Sequence, residues 1–332
     1  MPANLTPQYH KAEAEYRRAL TPDEELRCLE LMLREIPKHK GTDKLQAELK
    51  QKISKAKLEV EQHRKSPKKS GAAGIKIPRQ GAGRAVVIGG PNAGKSQLLR
   101  SLTRAQPEVA PYPFTTRESS PGMMNWEDVS VQLIDTPPIT SDSFDPEVLG
   151  LVRGADLAVL LVDLGDDEGL EQVQHVFDQF NRSKTRLART SSLDEEDLGV
   201  SYTQTILVPN KIDLPEAADR LAFLHEIYPI DLPEIVISAT ELTNLETLRN
   251  AIYSSLDVVR VYTKAPNKKE PDYDRPFTVR RGGTLLDIAE LVHKDLAKNL
   301  KGARVWGTAV HEGSTVRPDY EVHDKDVVEL HV

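Results

Sequence analysis

The pattern of apolar and polar residues changes twice along this chain, and each part predicts a different kind of structure. Near the amino terminus, apolar residues recur every three or four positions, as in amphipathic helices. Further on, continuous apolar runs alternate with helical segments, which predicts a mostly parallel sheet with helices on both faces. These runs are RAVVIGG (84–90), VSVQLID (129–135), ADLAVLLVD (155–163), TQTILVPN (203–210) and EIVISA (234–239).

The amino-terminal part predicts helices with a basic surface. Residues 8–36 form a predicted helical hairpin, and TPDEE (21–25) starts its second helix because Thr21 can act as the N-cap. Another helix follows, with an apolar face at Leu45, Leu49, Ile53, Ala56 and Val60. We therefore predict a basic helical hairpin domain over residues 1–65. Residues 66–83 are rich in Gly, Pro and Lys and are predicted to be a linker.

The rest of the chain predicts an α/β domain followed by a smaller unit. The α/β domain spans residues 84–262, and its polar stretch 181–199 is predicted to be a mobile surface insertion. From residue 275 to 332 a strand, a Gly-Gly turn, a helix and further strands follow closely. This order in so short a segment predicts a small β-grasp domain.

Composition and charge narrow the class of protein. One cysteine, Cys28, excludes a disulfide within the chain, and no apolar run approaches the ~18 residues of a membrane span. The amino terminus is polar, unlike a signal peptide, so we expect a soluble cytoplasmic protein without a membrane partner. Residues 1–83 hold 18 Lys and Arg against 11 Asp and Glu, whereas residues 84–262 hold 14 against 28. A basic arm on an acidic body indicates a polyanionic partner such as RNA, or simply a solvated helix surface.

A phosphate-binding pattern lies between the first apolar run and the helix SQLLRSLTR. Residues 89–96 match G-x-x-x-x-G-K-[ST], in which loop N–H groups and the helix start face phosphate. In this pattern Lys95 reaches the β- and γ-phosphates and Ser96 binds Mg²⁺; the alternative is a chance glycine turn. Asp135 ends the next strand and suits a second contact to Mg²⁺. The candidate nucleotide-binding residues here are Gly89, Pro91, Asn92, Ala93, Gly94, Lys95, Ser96 and Gln97.

A second polar group follows the later strands and is suited to bind guanine. In the segment Asn210-Lys211-Ile212-Asp213, the Asp213 carboxylate can accept hydrogen bonds from guanine N1–H and its 2-amino group. Lys211 can lay its stem along the base, and Asn210 can tie this loop to the phosphate loop. After the next run, Ser238, Ala239 and Thr240 can supply a backbone N–H to guanine O6.

The order GGPNAGKS, TT, DTPP, NKID, SAT resembles the G1 to G5 motifs of translation-factor-type GTPases. PYPFTTRESSPG (111–122) resembles switch I of the Obg family, including the developmentally regulated GTP-binding (DRG) proteins. The helical start HKGTDKLQAELKQKISKAK resembles the segment that precedes the G domain in DRG-type members. The carboxy-terminal unit resembles a TGS domain. The resemblance implies a P-loop NTPase G domain that hydrolyses GTP to GDP and phosphate.

The resemblance also implies roles for individual residues. Thr116 of switch I would coordinate Mg²⁺ together with Ser96 and Asp135, with Thr115 as the alternative to Thr116. Lys95 and Thr116 would then be the catalytic residues. Asn92 matches the asparagine with which related potassium-activated GTPases help to hold K⁺; the alternative is a turn-stabilising Asn after Pro91.

At two positions the residue type differs from that of an efficient GTPase. Ile139 stands where Ras-like enzymes have a catalytic glutamine, so hydrolysis is expected to be slow or to depend on a partner protein. Pro138 replaces the switch II glycine whose N–H senses the γ-phosphate, and proline has no N–H. We expect weaker discrimination between GTP and GDP as a result.

Three functions are compatible with the sequence. The first is a GTPase whose nucleotide state gates binding to ribosomes or structured RNA, through phosphate and shape contacts because aromatic content is only 5%. No recognition of a DNA sequence is expected. The second is a nucleotide-stabilised binding module without meaningful turnover. The third is an ATPase, which Asn-Lys-x-Asp disfavours. The TGS-like unit can also be a protein–protein adaptor without RNA contact.

Overall fold

The computed structural model describes residues 5–19, 22–37, 42–65, 77–103, 120–142, 144–194, 199–266, 268 and 270–332. Three helices come first, and Thr6 caps the first of them by accepting a hydrogen bond from the N–H of Tyr9 at 3.1 Å. Thr21, the predicted cap of the second helix, lies outside the described residues. The helices are α1 (Pro7–Arg18), α2 (Pro22–Glu35) and α3 (Asp43–Lys65).

The predicted apolar face of α3 is confirmed, and it closes a small core with the other two helices. Tyr9 and Met32 fill the centre of this core. Leu193, which lies far along the chain, packs into the same core, and its N–H donates to Glu13 Oε1 at 2.9 Å. The α3 residues that are buried there are Leu49, Ile53 and Ala56, with Leu45 partly buried against them, and Val60 is buried further along the helix.

The middle of the chain forms a seven-stranded sheet with helices on both faces. Strand order is β2-β3-β1-β4-β7-β5, with β6 also paired to β7; β2 and β6 run antiparallel and the others parallel. Two apolar cores lie on the two faces of the sheet. The elements are β1 (Arg84–Gly89), α4 (Lys95–Thr103), β2 (Ser120–Trp126), β3 (Val129–Asp135), α5 (Pro146–Arg153), β4 (Leu157–Asp163), α6 (Glu168–Arg182), β5 (Thr185–Ala188), β6 (Ser192–Leu193), β7 (Ser201–Asn210), α7 (Ala217–Ile227) and α8 (Leu245–Ser255).

Two expectations about this domain were wrong. The described part of the stretch 181–199 is not a surface insertion, because residues 185–188 and 192–193 are strands paired with the first half of β7. EIVISA (234–239) is not a regular strand. It runs beside β7, with hydrogen bonds from Ile235 N to Leu207 O and from Ile237 N to Pro209 O, but its pairing with β7 is limited to one bridge, between Leu207 and Glu234.

The carboxy-terminal unit has its own five-stranded sheet, in the order β11-β10-β12-β8-β9. Its first strand begins at Val258, so this sheet starts well before the predicted boundary at residue 275 and takes residues that were assigned to the G domain. The elements are β8 (Val258–Thr263), β9 (Asp272–Arg280), α9 (Leu285–Val292), α10 (Lys294–Asn299), β10 (Gly302–Trp306), β11 (Ser314–Val316) and β12 (Asp326–His331).

Arg260 of β8 joins this second sheet to the first. Its buried guanidinium donates to Glu127 and Asp128 in the β2–β3 turn at 2.5 and 2.7 Å, and to Asp324 at 2.8 Å. It also lies over the ring of Trp126, 5.1 Å from the centroid. The turn between β2 and β3 is therefore fixed to the carboxy-terminal unit.

The predicted linker 66–83 is only partly described. Its last residues, from Ile77, lie against the sheet: Ala82 N donates to Ser130 O at 2.8 Å, and Arg79 pairs with Asp156 at 2.8 Å. Across the described ranges, no helix combines the length and the apolar character that crossing a bilayer requires.

Candidate functional site

The loop between β1 and α4 has the shape that phosphate binding requires. Gly89 and Gly94 have φ angles of 152° and 91°. A Cβ at Gly94 would lie 2.4 Å from Asn210 Nδ2, and one at Gly89 would lie 2.6 Å from the carbonyl oxygen of Leu161. Both positions therefore require glycine for conformation and for space. The loop leads directly into α4, whose first N–H groups and dipole favour an anion.

Lys95 points back over this loop. Its ammonium donates to the carbonyls of Gly89 at 3.1 Å and Gly90 at 2.7 Å. Burial lowers the pKa of Lys95 to about 8, and the Asp135 carboxylate opposes that shift. A phosphate group at the loop would supply negative charge and stabilise the protonated amine.

Ser96 and Asp135 place two side-chain oxygen atoms next to each other. The Ser96 hydroxyl donates to Asp135 Oδ2 at 2.5 Å. Mg²⁺ prefers hard oxygen ligands and usually keeps waters and substrate phosphates, so one hydroxyl and one carboxylate fit it. Thr116 and Thr115, the predicted switch I ligands, lie outside the described residues.

Asn210 connects the two halves of the site. Its side chain is 2% exposed, and its Nδ2 donates to Ala93 O in the phosphate loop at 2.9 Å. Its Oδ1 accepts from the N–H of Ala239 at 3.0 Å. The amide therefore holds the phosphate loop, the end of β7 and the segment after residue 237 at one edge of the sheet, as expected for parallel strands that end together.

The remaining predicted base-binding residues surround Asn210. Lys211 has a φ of 70°, and its ammonium pairs with Asp163 at 2.6 Å. Asp213 is exposed at the mouth of the site, and so is Thr240. Ser238 is buried, and its hydroxyl accepts from the N–H of Glu241 at 2.9 Å.

The other residues at the site lie in the outer part of the loop or, like Asp163, at the end of a neighbouring strand. Pro91 is partly exposed, whereas Asn92 and Gln97 are exposed. The φ of 56° at Asn92 suits a turn-stabilising asparagine, and its exposure leaves the side chain accessible to a cation. Asp163 was not among the predicted site residues. The only signal for it in the sequence is that an apolar strand ends in aspartate.

The segment after Asp135 contains both Pro138 and Ile139. Thr136 Oγ1 donates to Val87 O at 2.8 Å and fixes the start of the segment. Pro138 is exposed and offers no donor. Ile139 is 1% exposed, and its N–H donates to the carbonyl of Gly89 at 3.1 Å. The apolar side chain therefore faces the core, and the next available N–H is already bound to the phosphate loop.

Comparison with known protein families agrees with this geometry. Residues 84–191 match the family described as 50S ribosome-binding GTPase, and residues 259–332 match the TGS domain. The latter match begins in β8, as the second sheet does.

Relatives resemble the chain over nearly its whole length. An uncharacterised GTP-binding protein of Methanocaldococcus jannaschii is 29% identical, covering 93% of this chain and 92% of the relative. Developmentally-regulated G-protein 2 of Arabidopsis thaliana is 27% identical over 92% and 90%. Ribosome-interacting GTPase 1 of Saccharomyces cerevisiae is 25% identical over 93% and 99%.

A solved structure supports the fold. The YchF GTPase of Schizosaccharomyces pombe superposes with a TM-score of 0.52 at 13% identity, covering 76% of this chain and 99% of that one. With two family matches in the expected order, the fold of a P-loop G domain and relatives aligned over nearly the full length, this chain carries a GTPase domain followed by a carboxy-terminal TGS domain and is similar to the DRG-like GTPases.

Proposed function

We propose that the protein binds GTP and GDP with Mg²⁺, hydrolyses GTP slowly, and uses its nucleotide state to gate binding to ribosomes or structured RNA. The observation that carries the proposal is the double hydrogen bond of Asn210. This one buried amide brings the phosphate loop and the guanine-reading segment to the same edge of the sheet.

Each part of a guanine nucleotide has a matching group. The loop N–H groups and Lys95 neutralise the phosphates, while Lys211 and Asp213 receive the base. Mg²⁺, when bound through Ser96 and Asp135, would offset the negative charge that the phosphate oxygens carry. The exposure of Asp213 leaves its carboxylate accessible to the N1–H and 2-amino groups of guanine.

Slow hydrolysis follows from the surroundings of Ile139. Its side chain is buried and its N–H is bound to Gly89, so this position cannot orient the attacking water. Electrostatic stabilisation by Lys95 and Mg²⁺ remains. Single-turnover hydrolysis by the purified protein, in K⁺ and in Na⁺, tests this. Slow hydrolysis that disappears in Lys95→Ala supports the proposal, and acceleration by K⁺ would assign Asn92 to a K⁺ site.

A gating role rests on the charge of the amino-terminal helices and on the relatives. Lys44, Lys50 and Lys55 are exposed on α3. One relative is named a ribosome-interacting GTPase, and a cytoplasmic location is part of the proposal.

Replacing these three lysines with Gln should weaken binding to ribosomes or structured RNA and flatten its salt dependence. Arg182→Gln on the acidic G domain is the control, because it removes an exposed positive charge elsewhere. Unchanged binding would mean that the basic arm is only a solvated surface. If the protein bound other proteins but no RNA, the TGS domain would be an adaptor.

Pro138 supports a second candidate, a nucleotide-stabilised binding module with no meaningful turnover. The exposed proline removes the switch II donor, and the following N–H is engaged elsewhere. Tight binding, equal affinities for GTP and GDP, and no hydrolysis in either salt would favour this candidate. A partner protein that supplies the catalytic group would then be needed for any turnover.

A further inference from the structure

Asp163 is a buried carboxylate that ends β4 beside the base-reading segment. Its side chain is 3% exposed. Oδ1 accepts from the N–H of Gly165 at 2.7 Å, and Oδ2 accepts from Lys211 Nζ at 2.6 Å. In the β4–β7 ladder Asp163 lies directly opposite Asn210, the residue that precedes Lys211. The β4–β7 pairing thus sets the backbone position of Asp163, and its carboxylate is held by the N–H of Gly165 as well as by the ammonium of Lys211.

Two glycines make room for this arrangement. A Cβ at Gly165 would lie 2.8 Å from Asp163 Oδ1 and 3.0 Å from Lys211 Cδ. A Cβ at Gly169 would lie 2.1 Å from the carbonyl oxygen of Asp163. The stem of Lys211 therefore lies against the backbone of Gly165, with its far end tied to Asp163. The Lys211 side chain is still 29% exposed, so its other side can be covered by a ligand.

We propose that Asp163 is a positioning residue for the nucleotide base: it holds Lys211 across Gly165, so that the lysine stem forms a prepared platform for guanine. This inference rests on the proposed function. A free lysine side chain has large conformational entropy, and a stem already held in place loses less of it when a base packs on it. Asp163 acts through Lys211, whereas Asp213 would read the base itself.

Asp163→Asn tests the inference with little change of shape. The amide oxygen can still accept from Gly165, but the negative charge that holds Lys211 is gone. We expect GDP affinity to fall by about tenfold, since hydrogen bonds to charged groups are worth more than neutral ones. Because the stem packs on any purine, GDP and IDP should lose affinity by the same factor. Asp167→Asn is the matched control: it removes a carboxylate that is 92% exposed in the same loop.

A double-mutant cycle separates positioning from general stability. Lys211→Met keeps a long apolar side chain but removes the ammonium. In that background Asp163→Asn should change GDP affinity by less than about twofold, whereas two independent residues would give additive losses. Additive losses, or wild-type GDP affinity in Asp163→Asn, would overturn the inference.

Gly165→Ala keeps the test decisive if Asp163→Asn does not fold. Its methyl group would press on the Lys211 stem, and we expect a severalfold loss of GDP affinity in the wild-type background and none beside Lys211→Ala. An equal loss in both backgrounds would contradict the platform. Failure of the proposed function looks different: the wild-type protein would then not bind GDP, and Lys95→Ala would change nothing.

Discussion

The two ends of the nucleotide site are built differently. At the base end, buried polar groups hold each other in place before any ligand is considered: Asn210 bridges two loops and Asp163 anchors Lys211. At the switch II end, Pro138 has no N–H and the N–H of Ile139 is bound to Gly89. We therefore expect binding of the base to depend on the first end and sensing of the γ-phosphate to depend on the second.

The largest expected effect comes from Lys95, which we propose contacts the phosphates of either nucleotide. Lys95→Ala should weaken both GTP and GDP by about a hundredfold or more, because it leaves phosphate charge without its buried cationic partner. Fluorescent-nucleotide binding measures this, and Arg100→Ala, an exposed change on the same helix, serves as control. Unchanged affinities in Lys95→Ala would refute the assignment of residues 89–96 as a phosphate-binding loop.

Changing Asp213 should break the base end while leaving the phosphate end intact. Asp213→Asn replaces two carboxylate acceptors with one acceptor and one donor, and should cost GDP about tenfold to a hundredfold in affinity. Xanthine nucleotides, which carry an oxygen at the 2-position, should gain relative affinity. Competition between GDP and XDP measures the ratio, and an unaltered ratio would mean that Asp213 does not read the base.

Pro138→Gly should repair the other end. A glycine restores the N–H, and one charge-assisted bond to the γ-phosphate is worth roughly 1.5–3 kcal/mol. The preference for a non-hydrolysable GTP analogue over GDP should therefore rise by about tenfold or more, with GDP affinity unchanged. Pro137→Gly is the control, because it removes a proline ring one residue earlier in the same segment. If both variants behave alike, chain flexibility and not the donor is responsible.

The smallest effect concerns pH. Burial lowers the pKa of Lys95 to about 8, below that of an unfolded lysine, so the folded protein without ligand releases this proton first as pH rises. Bound phosphate raises that pKa again, and binding therefore takes up a proton. GDP affinity should fall about fourfold between about pH 7 and about pH 8.5, and this slope should vanish in Lys95→Ala. A pH-independent affinity would contradict the burial of this amine.

The same lysine sets the sign of a stability effect. Because the folded pKa is depressed, the unfolded state binds more protons above about pH 8, and stability should rise from there up to the unfolded pKa of about 10.4. Thermal unfolding of the wild type against Lys95→Ala isolates this contribution.

The sequence predicts much of the phosphate and base ends because their chemistry is local. Gly89, Gly94 and Lys95 are specified by the loop itself, and Asn210 by the strand that it ends. Asp163 could not be singled out, since many strands end in aspartate and only the β4–β7 pairing brings it to Lys211. Slow hydrolysis because of Ile139 stays a prediction, and the bond from its N–H to Gly89 could not be predicted because it depends on a tertiary contact.

The errors in the fold have the same origin. The polar stretch 181–199 has little apolar content, and its strands form because β7 is long enough to pair with them. The segment 234–239 has a strand-like composition, yet it meets β7 only intermittently. The predicted start of the second unit at residue 275 was too late, because the sequence of Val258–Thr263 fits the last strand of the preceding domain equally well. In each case the partner strand decides, and a partner cannot be read from local composition.

The most direct test of the account is a side-by-side titration of the wild-type protein, with Mg²⁺, using GDP and a non-hydrolysable GTP analogue. We predict that both ligands bind and that their affinities differ by no more than about tenfold, because the proposed base-binding residues are in place while Pro138 offers no N–H. A preference of more than about a hundredfold for the GTP analogue would show that the γ-phosphate is sensed despite Pro138 and contradict the account. Failure of both ligands to bind would contradict it at the base end as well.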